Sequence, residues 1–449
     1  MNINFYTSYK KNTLLKVVFF LSLLGTFAKA FPGFEYLFVL TPLGFLIIIF
    51  AGLISVYNDL NVILNDISKF NLSRIAKSIL YLVLLFPVWS VLTSIWSLHP
   101  HITLLRSFYL LFLIIGTYFA SLFWNKISDT YFGCLIPLNI IVLIASIISL
   151  LFDIPQNAWT GGNSKGFMGF VSHQNTLGAI VLFTSPSIFE QILKYYFNYK
   201  SKKNIYNKYL LIFYSFILAA NLYLLIITHS RASILSFFIM CIILALLINY
   251  KYFFITAAMI IISLISLSVF NPGFKNSAES WMAKGSGSIL GSRLTYWESS
   301  FEAAISGGFT GLGYGISNPA IKNDAAGNHY DNGIFVREKL NSFLALIEET
   351  GIIGLILFLL PCIFLFYYFL SERKIKGNKK GTNHHLNKNI IQQHIISNNI
   401  YNLPFAFLIA LIVNAQFEAW FVGVGSFQFL IYIFLLFISF EKMKNRIID

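Results

Sequence analysis

Two arginines stand where their charge calls for a partner. Arg231 lies in "LLIITHSRASILSF", a guanidinium set between two apolar runs, with Ser230 beside it. An unpaired cation drawn toward the centre of a bilayer costs at least ~2.5 kcal/mol, so Arg231 either snorkels as an interface anchor or meets an anion. Arg293 lies in "KGSGSILGSRLTYWESSFEAAISGGFTGLGYG". There Leu294, Trp297, Phe301, Ala304 and Ile305 recur at helical spacing, Ser292 is placed to cap the start and Gly307-Gly308 to end the helix. The pattern predicts an amphipathic helix at a membrane surface, its aromatic side toward the headgroups. Arg293 falls in its first turn, where the helix dipole already disfavours a cation. A guanidinium, free backbone N–H groups and a preceding Gly-rich stretch compose a seat for phosphate or pyrophosphate. Pairing of Arg293 with Glu298 or Glu302 is the structural alternative.

Further along, "EKLNSFLALIEETGIIGLILF" places Asn341 at the mouth of an apolar run and Glu348 and Glu349 roughly two turns inside it. Carboxylates at that depth are costly unless they are paired or line a water-filled cleft. Arg231, Arg293 and Arg337 are the natural partners. A cleft would instead suit a proton acceptor whose pKa is raised by burial.

The elements that must position these groups are membrane spans. The 449-residue chain is 57% hydrophobic and 11% charged, with a mean hydropathy of +0.71, which excludes a soluble domain. Runs long enough to cross a bilayer fall near 14–30, 35–55, 76–97, 102–123, 131–152, 175–194, 208–228, 232–250, 252–270, 342–370, 401–416 and 424–440. The expected fold is an all-α, polytopic bundle of about 12 spans with a long, partly helical outer loop. Its parts are helices 1–9 over residues 1–270, the loop over 271–341, and helices 10–12 over 342–449 with a basic loop at 371–400. With both termini on one side, 22 of the 32 Lys and Arg residues fall on that side, which assigns it to the cytoplasm. Segments 152–172, 229–231 and 271–340 then project outward. The Ala28-Lys29-Ala30 sequence imitates a secretory cleavage site, but a retained first helix is expected.

The net charge of +14 is spread over short loops between spans, a pattern that topology demands and nucleic-acid binding does not. Cys134, Cys241 and Cys362 lie in or beside spans and carry no disulfide or metal spacing. The His384-His385 pair lacks a spaced third ligand and reads as part of a solvated linker. Twelve spans also suit a lipid-linked sugar flippase or transporter, but ionisable groups gathered at one outer face, with no two-half repeat, argue against it.

Four stretches carry a resemblance. They are "SIWSLHPHITLLRS" around Arg106, "GFMGFVSHQNTLG" around His173 and Asn175, "THSRAS" around Arg231, and "GSRLTYWESSFEAAISGGFTGLGYG" followed by "LNSFLALIEETGIIG". In this order the chain resembles the O-antigen ligase and O-antigen polymerase superfamily of bacterial membrane glycosyltransferases over roughly residues 75 to 370. The resemblance implies metal-independent glycosyl transfer, without a cofactor, at the periplasmic face of the inner membrane from a glycan on undecaprenyl pyrophosphate. The acceptor would be a lipid-linked repeat unit for a polymerase, with a chain-length regulator as a further partner, or lipid A-core for a ligase. Arg231 and Arg293 would hold the diphosphate. Arg106, His173, Asn175, Ser230 and Asn341 would contact substrate. Ligases and many polymerases of this superfamily carry histidine directly before the asparagine at the loop exit, and here that position is Leu340. The proton of the acceptor hydroxyl then falls to another group, with His329 and Glu349 as candidates, or the reaction relies on leaving-group stabilisation. This departure tilts the expectation from ligase toward polymerase.

Overall fold

The computed structural model describes residues 74–123, 127–154, 166–248, 291–321, 329–331, 334–379, 402–423 and 426–448, together with scattered positions between 17 and 47. The expected span at 252–270, the Gly-Ser stretch before Gly291 and the His384-His385 pair lie outside the described residues. The helices are α1 (Arg74–Leu92), α2 (Pro100–Phe123), α3 (Ile127–Phe152), α4 (Gln174–Lys202), α5 (Ile205–Ile227), α6 (Arg231–Ile248), α7 (Gly291–Gly307), α8 (Ser342–Lys379), α9 (Asn402–Asn414) and α10 (Phe427–Ile448). Among the described residues, five helical stretches are long and apolar enough to cross a membrane: Pro100–Tyr118, Phe132–Phe152, Gln174–Lys200, Ile205–Ile227 and Ser342–Phe369. Shorter apolar helices cover Tyr81–Ile95, Arg231–Leu247, Asn402–Asn414 and Phe427–Phe440. All of these fall on expected spans.

The fold is helical, with one addition. Between α7 and α8, β1 (His329–Asp331) and β2 (Ile334–Val336) form a two-stranded antiparallel hairpin, with His329 opposite Val336 and Asp331 opposite Ile334. The segment Ile-Phe-Val of β2 is β-branched and aromatic, the composition that favours a strand.

The core lies between α4 and α10. Ile180, Val181, Leu182 and Phe183 of α4 are fully buried, as are Phe429, Leu430 and Ile431 of α10. Polar side chains tie helices where apolar contact alone gives no directionality. Asn139 of α3 donates to Thr184 of α4 at 2.8 Å, and Asn221 of α5 donates to Asn139 at 3.0 Å.

The segment that follows α7 is bound into α8 by backbone. This helix breaks at Gly351, whose φ of 72° and ψ of 179° belong to a region open essentially to glycine alone. The polar groups freed by the break find partners in the turn after α7. Leu312 and Gly313 donate to the Glu348 and Glu349 carbonyls at 2.9 and 3.0 Å, and Ile352 and Ile353 donate to Gly308 and Phe309 at 3.1 and 3.3 Å. Two indoles of the α1 region seal the junction, Trp89 on the Thr350 carbonyl at 2.8 Å and Trp96 on the Gly311 carbonyl at 3.0 Å.

Beside the break, Glu348 and Glu349 are paired inside the protein. Arg337 meets Glu348 at 2.8 Å, with the two side chains 0% and 1% exposed. Lys339 reaches Glu348 at 3.1 Å and Glu349 at 2.6 Å. The backbone completes the shell: Asn318 N–H donates to Glu348 and Gly315 N–H to Glu349, at 2.8 and 2.7 Å. Burial pushes the Lys339 ammonium down, but the two facing carboxylates outweigh it and hold the group above the ordinary lysine value of 10.5. Arg337 is one of the three partners anticipated for these acids, whereas Lys339 was not anticipated.

Two outcomes follow for the stability of the full chain in detergent. Gly351→Ala puts a methyl 2.0 Å from the Phe309 carbonyl oxygen in a torsion alanine resists, and thermal unfolding should show a loss of about 3 kcal/mol or more. Arg337→Met removes the closer of the two cations that meet the buried Glu348, leaving only Lys339, and should cost about 3 kcal/mol. The contribution of Lys339 has its own pH window. A folded pKa raised above the unfolded one stabilises fully below pH 10.5 and is lost only as pH climbs through the raised value, so titration of the melting temperature should show this loss on the alkaline side alone.

Candidate functional site

Three helix starts and one inter-helix turn meet at one end of the bundle. At α4, His173 is the extended N-cap residue, and its Nδ1 accepts from Asn175 N–H at 3.1 Å. At α6, Thr228 Oγ1 accepts from Ser230 N–H at 3.3 Å, His229 turns through a left-handed φ of 53°, and the helix begins at Arg231. This turn packs directly on α4, since a Cβ on Gly178 would come within 2.4 Å of Ser230 Cβ. At α8, Asn341 Oδ1 caps by accepting from Phe343 and Leu344 N–H at 2.9 and 3.1 Å. The Asn341 amide also donates to the Gln416 carbonyl at 3.1 Å. Ser342 Oγ donates to the Glu418 carbonyl at 2.5 Å and accepts from Phe421 N–H at 3.2 Å. The turn between α9 and α10 is thereby fixed on the mouth of α8.

Arg293 reaches into this junction from the first turn of α7, which stops at Gly307 where the sequence places its end but already includes Gly291 and Ser292, so Ser292 is a helical residue and not the expected N-cap. Its guanidinium meets Glu418 Oε1 at 3.0 Å, donates to the Phe417 carbonyl, and lies over the Phe417 ring at 5.7 Å. Glu418 is the observed partner; Glu298 and Glu302 are exposed. Asn175 of α4 approaches the same Glu418 oxygen at 3.5 Å. The charge of Arg293 is felt at Arg231, so the two guanidinium groups, from separate helices, stand within electrostatic reach of each other. Two of the five N–H groups of Arg293 are used by Glu418 and Phe417, which fixes the plane of the fork and leaves its other donors for an anion.

A second carboxylate belongs to this cluster. Glu338 is exposed and interacts electrostatically with Glu418 and Arg293. Loss of hydration and then the like charge of Glu418 raise its carboxyl above the ordinary 4.5, and Arg293 only partly offsets this. The backbone that carries it is anchored on α7: Ser300 Oγ donates to the Lys339 carbonyl at 2.7 Å and Trp297 Nε1 to the Leu340 carbonyl at 3.2 Å. Leu340 itself has a left-handed φ of 47°, a conformation that costs an L-residue about 1–2 kcal/mol.

Of the residues singled out from the sequence, Arg231, Arg293, Asn175 and Asn341 are gathered here. His173 and Ser230 shape the starts of α4 and α6, Ser230 Oγ lying 2.9 Å from Ser233 Oγ. Arg106 is elsewhere, donating from α2 to the Gly315 carbonyl in the loop that covers the α8 break. Glu349 is engaged by Lys339 and Gly315, away from Arg293. His329 contributes backbone to β1, and its side chain lies outside the described residues. Sequence reasoning passed over Glu418 and Glu338. The first had a signal, an acid in the short turn between two apolar runs that the same topology sends outward. The second was legible as the middle of Arg337-Glu338-Lys339, where an extended segment sends alternate side chains to opposite sides.

No curated protein matches the chain. Residues 215–359, which run from α5 into α8 and include Arg231, Arg293 and Glu338, are similar to the family whose model is described as O-antigen ligase.

Proposed function

We propose that the chain is a polytopic glycosyltransferase of the bacterial inner membrane that extends or transfers a glycan carried on undecaprenyl pyrophosphate, acting as a surface-polysaccharide polymerase. The observation that carries this reading is the gathering of two helix starts far apart in sequence: the turn that opens α6 at Arg231 packs on the start of α4 at Gly178, and Asn175 of α4 approaches the Glu418 that pairs with Arg293 of α7. Two guanidinium groups beside helix N-termini, that of Arg293 fixed by Glu418 and the Phe417 carbonyl, suit the charge and shape of a diphosphate. Glycosyl transfer from such a carrier breaks the bond between the anomeric carbon and the diphosphate oxygen, and the leaving group gains negative charge as it departs. Arginines held in place before the reaction stabilise that charge without reorganising. Asn175 and Asn341 add amide groups around the same junction for the sugar or phosphate oxygens.

In this reading the arginine-bearing end faces the periplasm, both termini are cytoplasmic, and the bundle has twelve spans with residues 271–341 as the outer loop. The distribution of basic residues supports that orientation. The exposed apolar residues Leu294, Phe301 and Ile305 on α7 support placing this helix against the headgroups. The acceptor is a second lipid-linked unit for a polymerase and lipid A-core for a ligase, and Leu340 at the loop exit favours the polymerase.

A deletion strain separates the two activities on a lipopolysaccharide gel. One repeat unit on core marks a lost polymerase; bare core with accumulating lipid-linked polymer marks a lost ligase. Complementation with Arg231→Ala or Arg293→Ala should restore little product, since loss of one charge-assisted contact to the leaving group is worth ~2.7–4 kcal/mol, or a hundredfold or more in rate. Surface glycan of normal amount and length from either variant would defeat the proposal.

A further inference from the structure

The residues that hold Arg293 leave one step of the reaction without an owner, the removal of a proton from the acceptor hydroxyl. Glu349 has its oxygens committed to Lys339 and Gly315 at 2.6 and 2.7 Å. Leucine at 340 has no group to offer. Three observations single out a different residue. First, Arg337 and Lys339 send their side chains into the buried ion network, and the residue between them is exposed, so an extended backbone turns Glu338 the other way. Second, this backbone is held against α7 on both sides of Glu338, by Arg337 donating to the Ser299 carbonyl at 3.2 Å and by Ser300 donating to the Lys339 carbonyl at 2.7 Å. Third, the charged and titratable groups within its electrostatic reach are those of the arginine cluster: Arg293 and Tyr296, one helical turn apart on α7, and Glu418 from the turn between α9 and α10. Among the described residues, no hydrogen bond or ion pair occupies the Glu338 carboxylate.

We infer that Glu338 is the proton acceptor for the incoming sugar hydroxyl, and that Glu418 is a positioning residue that holds Arg293 toward the diphosphate. This rests on the reading of Arg231 and Arg293 as the diphosphate site. In the step, the acceptor oxygen forms a bond to the anomeric carbon of the donor sugar. The bond from that carbon to the diphosphate oxygen breaks, and its electron pair leaves with the lipid diphosphate. The acceptor proton passes to Glu338. Its arrival removes one negative charge from the site as the diphosphate gains one, so the total charge facing Arg231 and Arg293 is conserved through the step.

The environment of Glu338 suits this task. A carboxylate raised above its ordinary value is a stronger base. Rate should therefore fall as pH drops through that raised value. Removal of the Glu418 charge takes away one of the causes of the shift, so Glu418→Gln should move the acid limb of the profile to lower pH.

The test uses the full chain in detergent, with undecaprenyl pyrophosphate as the binding probe and lipid-linked glycan extracted from a deletion strain as substrate. Glu338→Gln should bind the probe as the wild type does and turn over about a hundredfold more slowly or worse, with Glu338→Asp retaining more rate than Glu338→Gln. A wild-type rate in Glu338→Gln overturns the inference, and so does a loss of probe binding that accounts for the lost rate. An acid limb that stays in place in Glu418→Gln overturns the coupling of the two carboxylates. Failure of the underlying reading looks different: Arg231→Ala and Arg293→Ala would then still bind the probe.

Discussion

Backbone groups released inside an apolar bundle have no water to turn to, and the break in α8 at Gly351 releases several. Residues 308–313 satisfy them, so the segment after α7 completes the hydrogen bonding of α8 and cannot lift away without orphaning both. The position of α7 depends on this exchange. So does the position of Arg293 at its start, and the strand-like segment carrying Glu338 runs back along the same helix. A loop that the sequence marks only as polar and glycine-rich is in this way as firmly placed as a span.

Two sets of charges then divide the labour. Arg337, Lys339, Glu348 and Glu349 are enclosed, and their oxygens are met by cations and by backbone N–H groups. Such a set fixes geometry, and its saturation leaves little for a substrate. Arg231, Arg293, Glu338 and Glu418 form the looser set, with the Arg293 and Glu418 side chains 12% and 30% exposed. Here like charges act on one another, Arg293 on Arg231 and Glu418 on Glu338. Repulsion of this kind is tolerated where an incoming ligand relieves it.

What the sequence disclosed was what local pattern encodes. The body of α7 and its end at Gly307 were readable from periodicity and paired glycines, and the spans from the length of apolar runs. Charge alone picked out Arg231 and Arg293. Partnerships were harder, because they join distant positions: Arg293 and Glu418 are 125 residues apart, and Arg106 and Gly315 are 209. No rule of spacing connects such pairs. Glu349 illustrates the resulting error of emphasis, since a carboxylate two turns inside an apolar helix suggests chemistry until its neighbour Lys339 is seen to neutralise it.

Leu340 shows what a fold asks of a residue apart from its side chain. Its left-handed torsion redirects the chain between Lys339, which points into the enclosed charges, and Asn341, which caps α8, and its carbonyl receives the Trp297 indole. All of these duties are performed by main-chain atoms. Exchange of the side chain at 340 therefore leaves the corner standing, and the reactive group of this region is free to migrate two residues along the chain while the architecture around it stays the same.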